Sequence, residues 1–121
     1  MLKFTIKVAP ATKKNSMQVS FKNHTVRQSK PYLQYEKDCL KVITGTYKLH
    51  IEKPVNIKAL YFMPTHRRVD LTNLNSALHD VLVKAGVLLD DNCKIVVSTD
   101  GSRVLYDKEN PRTEVTITPY E

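Results

Sequence analysis

Arg67-Arg68-Val69-Asp70-Leu71-Thr72-Asn73-Leu74 begins the stretch that decides the fold, and Leu89-Asp90-Asp91 closes it. Between them Leu71, Leu74, Ala77, Leu78, Val81, Leu82 and Ala85 recur at three- and four-residue spacings, one apolar stripe of a helix over Leu71 to Ala85, with Gly86 as the expected C′ residue. The polar face holds Asn73, Ser76, Asp80 and Lys84, the last two spaced for an ordinary surface ion pair. Carboxylates at both ends of this helix, in a chain with 19 Lys+Arg against 12 Asp+Glu, have two readings. In one, Asp70 caps the helix and Asp90-Asp91 make a turn. In the other they are hard oxygen ligands for Mg²⁺, set among basic residues that suit a polyanionic substrate, which implies metal-assisted cleavage of nucleic acid.

Outward from this helix, Val55 to Met63 is a strand apolar on nearly both faces, hence expected at the centre of a sheet, bounded by Pro54 and Pro64. Leu2 to Val8 alternates with period two and reads as a strand with one buried face, ended by Pro10. A basic loop, Thr12-Lys13-Lys14-Asn15-Ser16, leads to a short hairpin, Met17 to Phe21 and Thr25 to Arg27, turning at Lys22-Asn23. Ser29 then offers an N-cap, with Pro31 close behind, for a second helix to about Thr44 carrying Tyr32, Tyr35, Leu40 and Ile43 and stopping at Gly45. Lys94 to Ser98, Arg103 to Tyr106 and Glu114 to Thr118 read as strands, with turns at Asp100-Gly101 and Glu109-Asn110-Pro111. The whole is one α+β domain over residues 1–121, a mixed β-sheet packed with two main helices.

A formal net charge of +7 favours an anionic partner, nucleic acid ahead of a membrane surface, since no stretch reads as a lipid anchor. Cys39 and Cys93 show no CxxC or Cys/His metal spacing and are expected as reduced, partly buried thiols, pointing to a reducing cytoplasm. The N-terminus starts directly on the alternating strand, and no apolar run approaches membrane length, so a cytoplasmic, unsecreted protein is expected.

These residues, in this order, resemble the RusA family of Holliday junction resolvases of bacteria, phages and prophages. The resemblance rests on Arg67 to Leu74, the helix through Lys84-Ala85-Gly86 and Leu89-Asp90-Asp91, and on Pro10 to Ser16 followed by Ser29-Lys30-Pro31-Tyr32. It implies a Mg²⁺-dependent endonuclease, with Mn²⁺ as an alternative ion, that acts as a homodimer and places paired nicks in a four-way DNA junction. Carried over, Asp70 and one or both of Asp90 and Asp91 are the metal ligands and catalytic acids. Thr72, Asn73 and Asp80 stand behind them; Asp80, seven residues after Asn73, shares its helical face. Lys13, Lys14, Asn15, Arg67 and Arg68 are the expected DNA contacts, positioning backbone phosphates. His66, beside the acidic cluster, reads as a surface histidine, and His24, His50 and His79 carry no pattern.

Two positions depart from the family pattern: Thr72 replaces the second acid of Asp-Leu-Asp-Asn, and Ser76 stands where Lys can occur. They motivate a competing function, a catalytically weak junction-binding protein of the same fold. A small RNA-binding protein also fits size and charge, but it leaves the carboxylates unexplained, and the sequence contains no aromatic base-stacking motif. Chain geometry adds an expectation of its own. The helix carries the chain roughly 22 Å from Asp70, and the five residues from Ala85 to Asp90 span at most roughly 18 Å. The two acidic sets are therefore expected to meet only across a twofold dimer.

Overall fold

A computed structural model describes residues 1–13 and 30–120 in full and the backbone of residues 17–20 and 25–28. The elements run β1 Leu2–Ile6, β2 Met17–Ser20, β3 Thr25–Gln28, α1 Lys30–Val42, β4 Val55–Met63, α2 Leu71–Lys84, β5 Val96–Ser98, β6 Arg103–Tyr106 and β7 Arg112–Pro119, with a 3-10 turn at Gly45–Tyr47 between α1 and β4. The architecture is α+β, with a mixed sheet and two helices. β2 and β3 form a separate antiparallel pair from Met17↔Gln28 to Ser20↔Thr25; the turn expected at Lys22-Asn23 and the N-cap expected at Ser29 lie outside the described residues.

β4 organises the five-stranded sheet. β7 runs antiparallel along it from Val55↔Pro119 to Phe62↔Arg112, and β1 adds antiparallel beyond β7. On its other side β4 takes β5 and then β6, both parallel to it. Parallel neighbours need a crossover connection, and α2 supplies it between β4 and β5. Val55, Ile57, Ala59 and Tyr61 alternate onto one buried face. The opposite face is less apolar in its surroundings than the sequence suggested: Lys58 is exposed, and Asn56, Leu60 and Phe62 are half-buried. β4 is central because strands flank it on both sides, not because both of its faces are buried.

Between β5 and β6 the chain leaves the sheet edge, and Asn56 holds the detour. Its Oδ1 accepts from Ser98 Oγ at 2.6 Å and from the Asp100 amide at 2.8 Å, while its Nδ2 donates to the Asp100 carbonyl at 3.2 Å. The Ser102 hydroxyl substitutes for the missing strand, donating to the Ile57 carbonyl at 3.3 Å and accepting from the Ala59 amide at 3.0 Å. Buried backbone groups of β4 thereby stay paired. Gly101 turns this corner at φ +88°, where a Cβ would also meet Lys58 Cδ at 3.0 Å.

In α1 the buried side chains are Tyr32, Tyr35 and Cys39, with Ile43 just beyond its end. Leu40, expected in this stripe, is 38% exposed. Steps of three, four and four residues from Tyr32 arrive at Cys39 and Ile43, and Leu40 is rotated a further 100° toward solvent. Burial pushes the Cys39 thiol up to about 12, which keeps it protonated and inert. Cys93, expected to be partly buried, is exposed in the turn after α2.

α2 buries Leu74, Ala77, Leu78, Val81 and Leu82 against the sheet. Its C-terminus is closed by Gly86 at φ +82°, and Val87 and Leu88 follow as buried plugs, with Leu88 bridging to Ile51. The expected Asp80–Lys84 pair does not form. Lys84 Nζ reaches Glu36 on α1 at 2.8 Å, and Asp80 pairs with Lys13. Both counter-charges come from segments packed along this flank of α2, so tertiary neighbours displace the local pair.

A buried polar contact escaped the sequence reading. Tyr61 Oη donates to Asn75 Oδ1 at 2.6 Å inside the core. Asn75→Ala leaves that hydroxyl without its acceptor, an expected loss of about 1–3 kcal/mol. Urea unfolding checks it as a lower midpoint at unchanged slope; a midpoint equal to wild type contradicts it.

Candidate active site

Residues 64–70 carry the chain from the end of β4 to the start of α2. Asp70 occupies the N-cap position with extended backbone, φ −95° and ψ 129°, and its carbonyl receives the Asn73 and Leu74 amides at 3.1 Å each. Its carboxylate, however, makes no capping hydrogen bond to the helix. Oδ2 instead accepts Asn73 Nδ2 at 3.2 Å, a contact that orients the carboxylate from one turn along the helix. The backbone thus starts the helix, and the charge of Asp70 stays at an exposed end. Thr72 and Ser76 are exposed on the first two turns of α2, and Arg67 and Arg68 are exposed in the approach to it.

The second acidic pair divides into two different roles. Asp90 shapes its own turn: Oδ1 accepts the Asp91 amide at 2.7 Å, and Oδ2 accepts Asn92 Nδ2 at 3.2 Å. Asp91 is exposed, and among the described residues its carboxylate enters no hydrogen bond or ion pair. It lies close enough to His79 on α2 to favour the charged imidazole, although burial outweighs it and holds that histidine below its ordinary range. His79 is nine residues along α2 from Asp70, roughly 13 Å of helix. Among the described residues no group of three or more His, Cys, Asp or Glu side chains is placed to hold a metal ion together.

The basic residues also separate. Lys13 Nζ is ion-paired with Asp80 and sits 5.8 Å over the Tyr32 ring, so its charge ties the N-terminal loop to both helices. Arg112 lies 3.8 Å over Phe62 and bridges Asp107 at 2.8 Å and Glu114 at 2.9 Å; this guanidinium holds the Asp107 carboxyl below its usual range. Lys14 and Asn15 lie outside the described residues.

One aromatic contact, in the segment that leads to Asp70, had no signal in the sequence. The His66 and Tyr106 rings stack with centroids 3.7 Å apart and planes at 28°. Forty residues separate them, and only the Met63↔Tyr106 register of β4 and β6 brings them together.

A basic α+β domain that exposes carboxylates at the start of one helix and in the turn beyond it is suited to handling a polyanion through hard oxygen ligands. Residues 7–118 match the family model described as endodeoxyribonuclease RusA, and the chain belongs to that family. It is also 40% identical over 58 residues to the crossover junction endodeoxyribonuclease RusA of Enterobacteria phage 82. That match covers 47% of this chain and 48% of the relative, so the chain spans about half the length of this curated protein. No helix among the described residues is long and apolar enough to cross a membrane.

Proposed function

We propose that this protein is a Mg²⁺-dependent endonuclease that resolves four-way DNA junctions by paired nicks, in recombination and repair, as a homodimer with two composite active sites. The observation that carries this reading is the side chain of Asp70: it holds the cap position without capping. A carboxylate that leaves the helix amides uncapped and is oriented by Asn73 at an exposed position is suited to a ligand role.

The donor set fits the ion in kind. Mg²⁺ takes one or two carboxylates and keeps several waters, and Asp70 and Asp91 both present carboxylates at exposed positions. Asp90, whose two oxygens already close its turn, supports Asp91 and leaves ligation to it. Bound there, the ion would lower the pKa of a water and neutralise charge on the phosphate under attack. The chain's own residues do the rest. Asn73 fixes the direction of Asp70, Arg67 and Arg68 hold backbone phosphates by charge-assisted bonds, with Lys14 and Asn15 as further phosphate contacts, and Lys13 ties the N-terminal loop to α2 through Asp80. Asp80, engaged with Lys13, acts on this loop. Mn²⁺, with the same preference for oxygen ligands, is an expected substitute.

The composite arrangement follows from α2. Asp91 comes alongside α2 at His79, nine residues from Asp70, and a twofold axis beside the helix, with the two copies of α2 antiparallel, would set Asp70 of one subunit toward Asp91 of the other. The competing reading, a junction binder with little cleavage, draws on Thr72 and Ser76, which leave the flank next to Asp70 without a second acid or a lysine. Incubation with a synthetic four-way junction separates the two. Symmetric nicks in Mg²⁺, with binding alone in EDTA, are expected; equal binding and no nicks in either Mg²⁺ or Mn²⁺ would establish the binder.

A further inference from the structure

We infer that the groove between β6 and residues 64–67 is a nucleobase subsite, which takes one unstacked base from the branch point of the DNA beside Asp70. The inference rests on the junction-nuclease reading above and adds a recognition site to it. Met63, Thr65, His66, Arg67, Val104 and Tyr106 are among the lining residues of a cavity of about 290 Å³. That is at the small end of ligand clefts, about 300–1,000 Å³, and suits one flat ring system better than a peptide segment.

Each part of the groove matches a part of a nucleotide. The His66–Tyr106 stack supplies an aromatic platform, and Tyr106 remains 43% exposed. Bases of any sequence stack on such rings. Among the described residues β6 pairs with β4 alone, so the backbone N–H and C=O groups on its outer side face away from the sheet, available to the polar edge of a base. Val104 and Leu105, exposed at 39% and 37%, give that edge apolar walls. Arg67, in the same wall, is exposed and placed for the attached phosphate.

Position ties the groove to the cleavage chemistry. The β4–β6 register sets Tyr106 beside Met63, where the chain leaves the sheet for Asp70. His66 precedes Asp70 by four residues, at most roughly 14 Å of extended chain. A base held there lies within one or two nucleotides of a phosphate at Asp70. In an open junction, bases at the branch point lack a stacking neighbour on one side, so they leave the stack at lower cost than bases in a duplex. The subsite therefore favours branched DNA and, through the β6 edge, discriminates among bases at the branch point.

The test is a thermodynamic cycle on the full-length protein. Junction affinity is measured in EDTA for wild type, Tyr106→Ala and Tyr106→Phe, on an intact junction and on junctions with an abasic site at each branch-point position in turn. Stacking of one base is worth roughly 5- to 150-fold in affinity. Tyr106→Ala is expected to weaken binding of the intact junction within that range and to show no further loss at the one abasic position where wild type loses as much. Tyr106→Phe restores wild-type affinity, and cut sites across junctions with different branch-point bases become less selective in Tyr106→Ala. The subsite is overturned if Tyr106→Ala binds the intact junction as wild type does, or if the two losses multiply at every position. It is equally overturned if Tyr106→Ala changes the molecular mass in solution, which would make the β6 edge a subunit contact. Wild-type protein showing no preference for a junction over duplex overturns the nuclease reading, and the subsite with it.

Discussion

Asp70→Asn is expected to reduce junction nicking to background while junction binding survives or tightens. The substitution keeps the shape of the side chain and leaves an oxygen to accept from Asn73 Nδ2, so the loop and the start of α2 are preserved. It removes a negative charge facing the phosphate, which favours binding, and it removes a hard anionic ligand, which Mg²⁺ needs. Loss of a residue that merely supports a metal ligand costs about 10–100-fold; a ligand itself is expected to cost more. Asp91→Asn should match it. Asp90→Asn should cost less, because Asp90 serves the turn through the Asp91 amide and Asn92. Single-turnover cleavage and EDTA binding on the same preparations check all three. Loss of binding in parallel with loss of cleavage at Asp70 contradicts the ligand role, and equal losses at Asp90 and Asp91 contradict the division between them.

How far the fold could be read ahead depended on whether its cause was local. The bounds of β4 and the body of α2 were legible because prolines flank the strand, Gly86 ends the helix, and a seven-residue apolar stripe admits one period. The slip from Cys39 to Leu40 in α1 shows the limit of such reading: adjacent apolar residues at a stripe's margin differ by 100° of rotation, and packing alone decides which one is buried. Pairing partners were beyond local reach. That β5 and β6 share one side of β4, with Ser102 standing in for the strand between them, depends on Asn56 meeting Asp100, 44 residues away.

The same division holds at the site. Asp70 and the Asp90-Asp91 pair stand out as residues, yet their separate duties appear only in hydrogen bonds: Asp70 spared from capping, Asp90 taken up by its turn. Charge assignments made along the sequence were redistributed by contacts between segments. Asp80 is paired with Lys13, and Lys84 with Glu36. His66 gained a partner in Tyr106 through sheet register, which no spacing in the sequence encodes.

The proposed composite site makes the largest prediction. Asp70 stands before the first residue of α2, and Asp91 lies beside His79, nine residues or roughly 13 Å of helix from Asp70. A Mg²⁺–oxygen bond is about 2.1 Å, so the two carboxylates that share an ion must approach within a few ångströms. In the proposed dimer, twofold symmetry yields two equivalent sites, each with one acid from either chain, which suits paired nicking of a symmetric junction. Subunit mixing measures this directly. Asp70→Asn and Asp91→Asn proteins, each inactive alone, are combined, allowed to exchange subunits, and assayed on a junction labelled in each strand. A composite site gives heterodimers with one intact centre, so activity returns as nicks in single strands without their symmetric partners. If each site is built within one chain, every heterodimer carries a defect in both centres, and the mixture stays as inactive as its components.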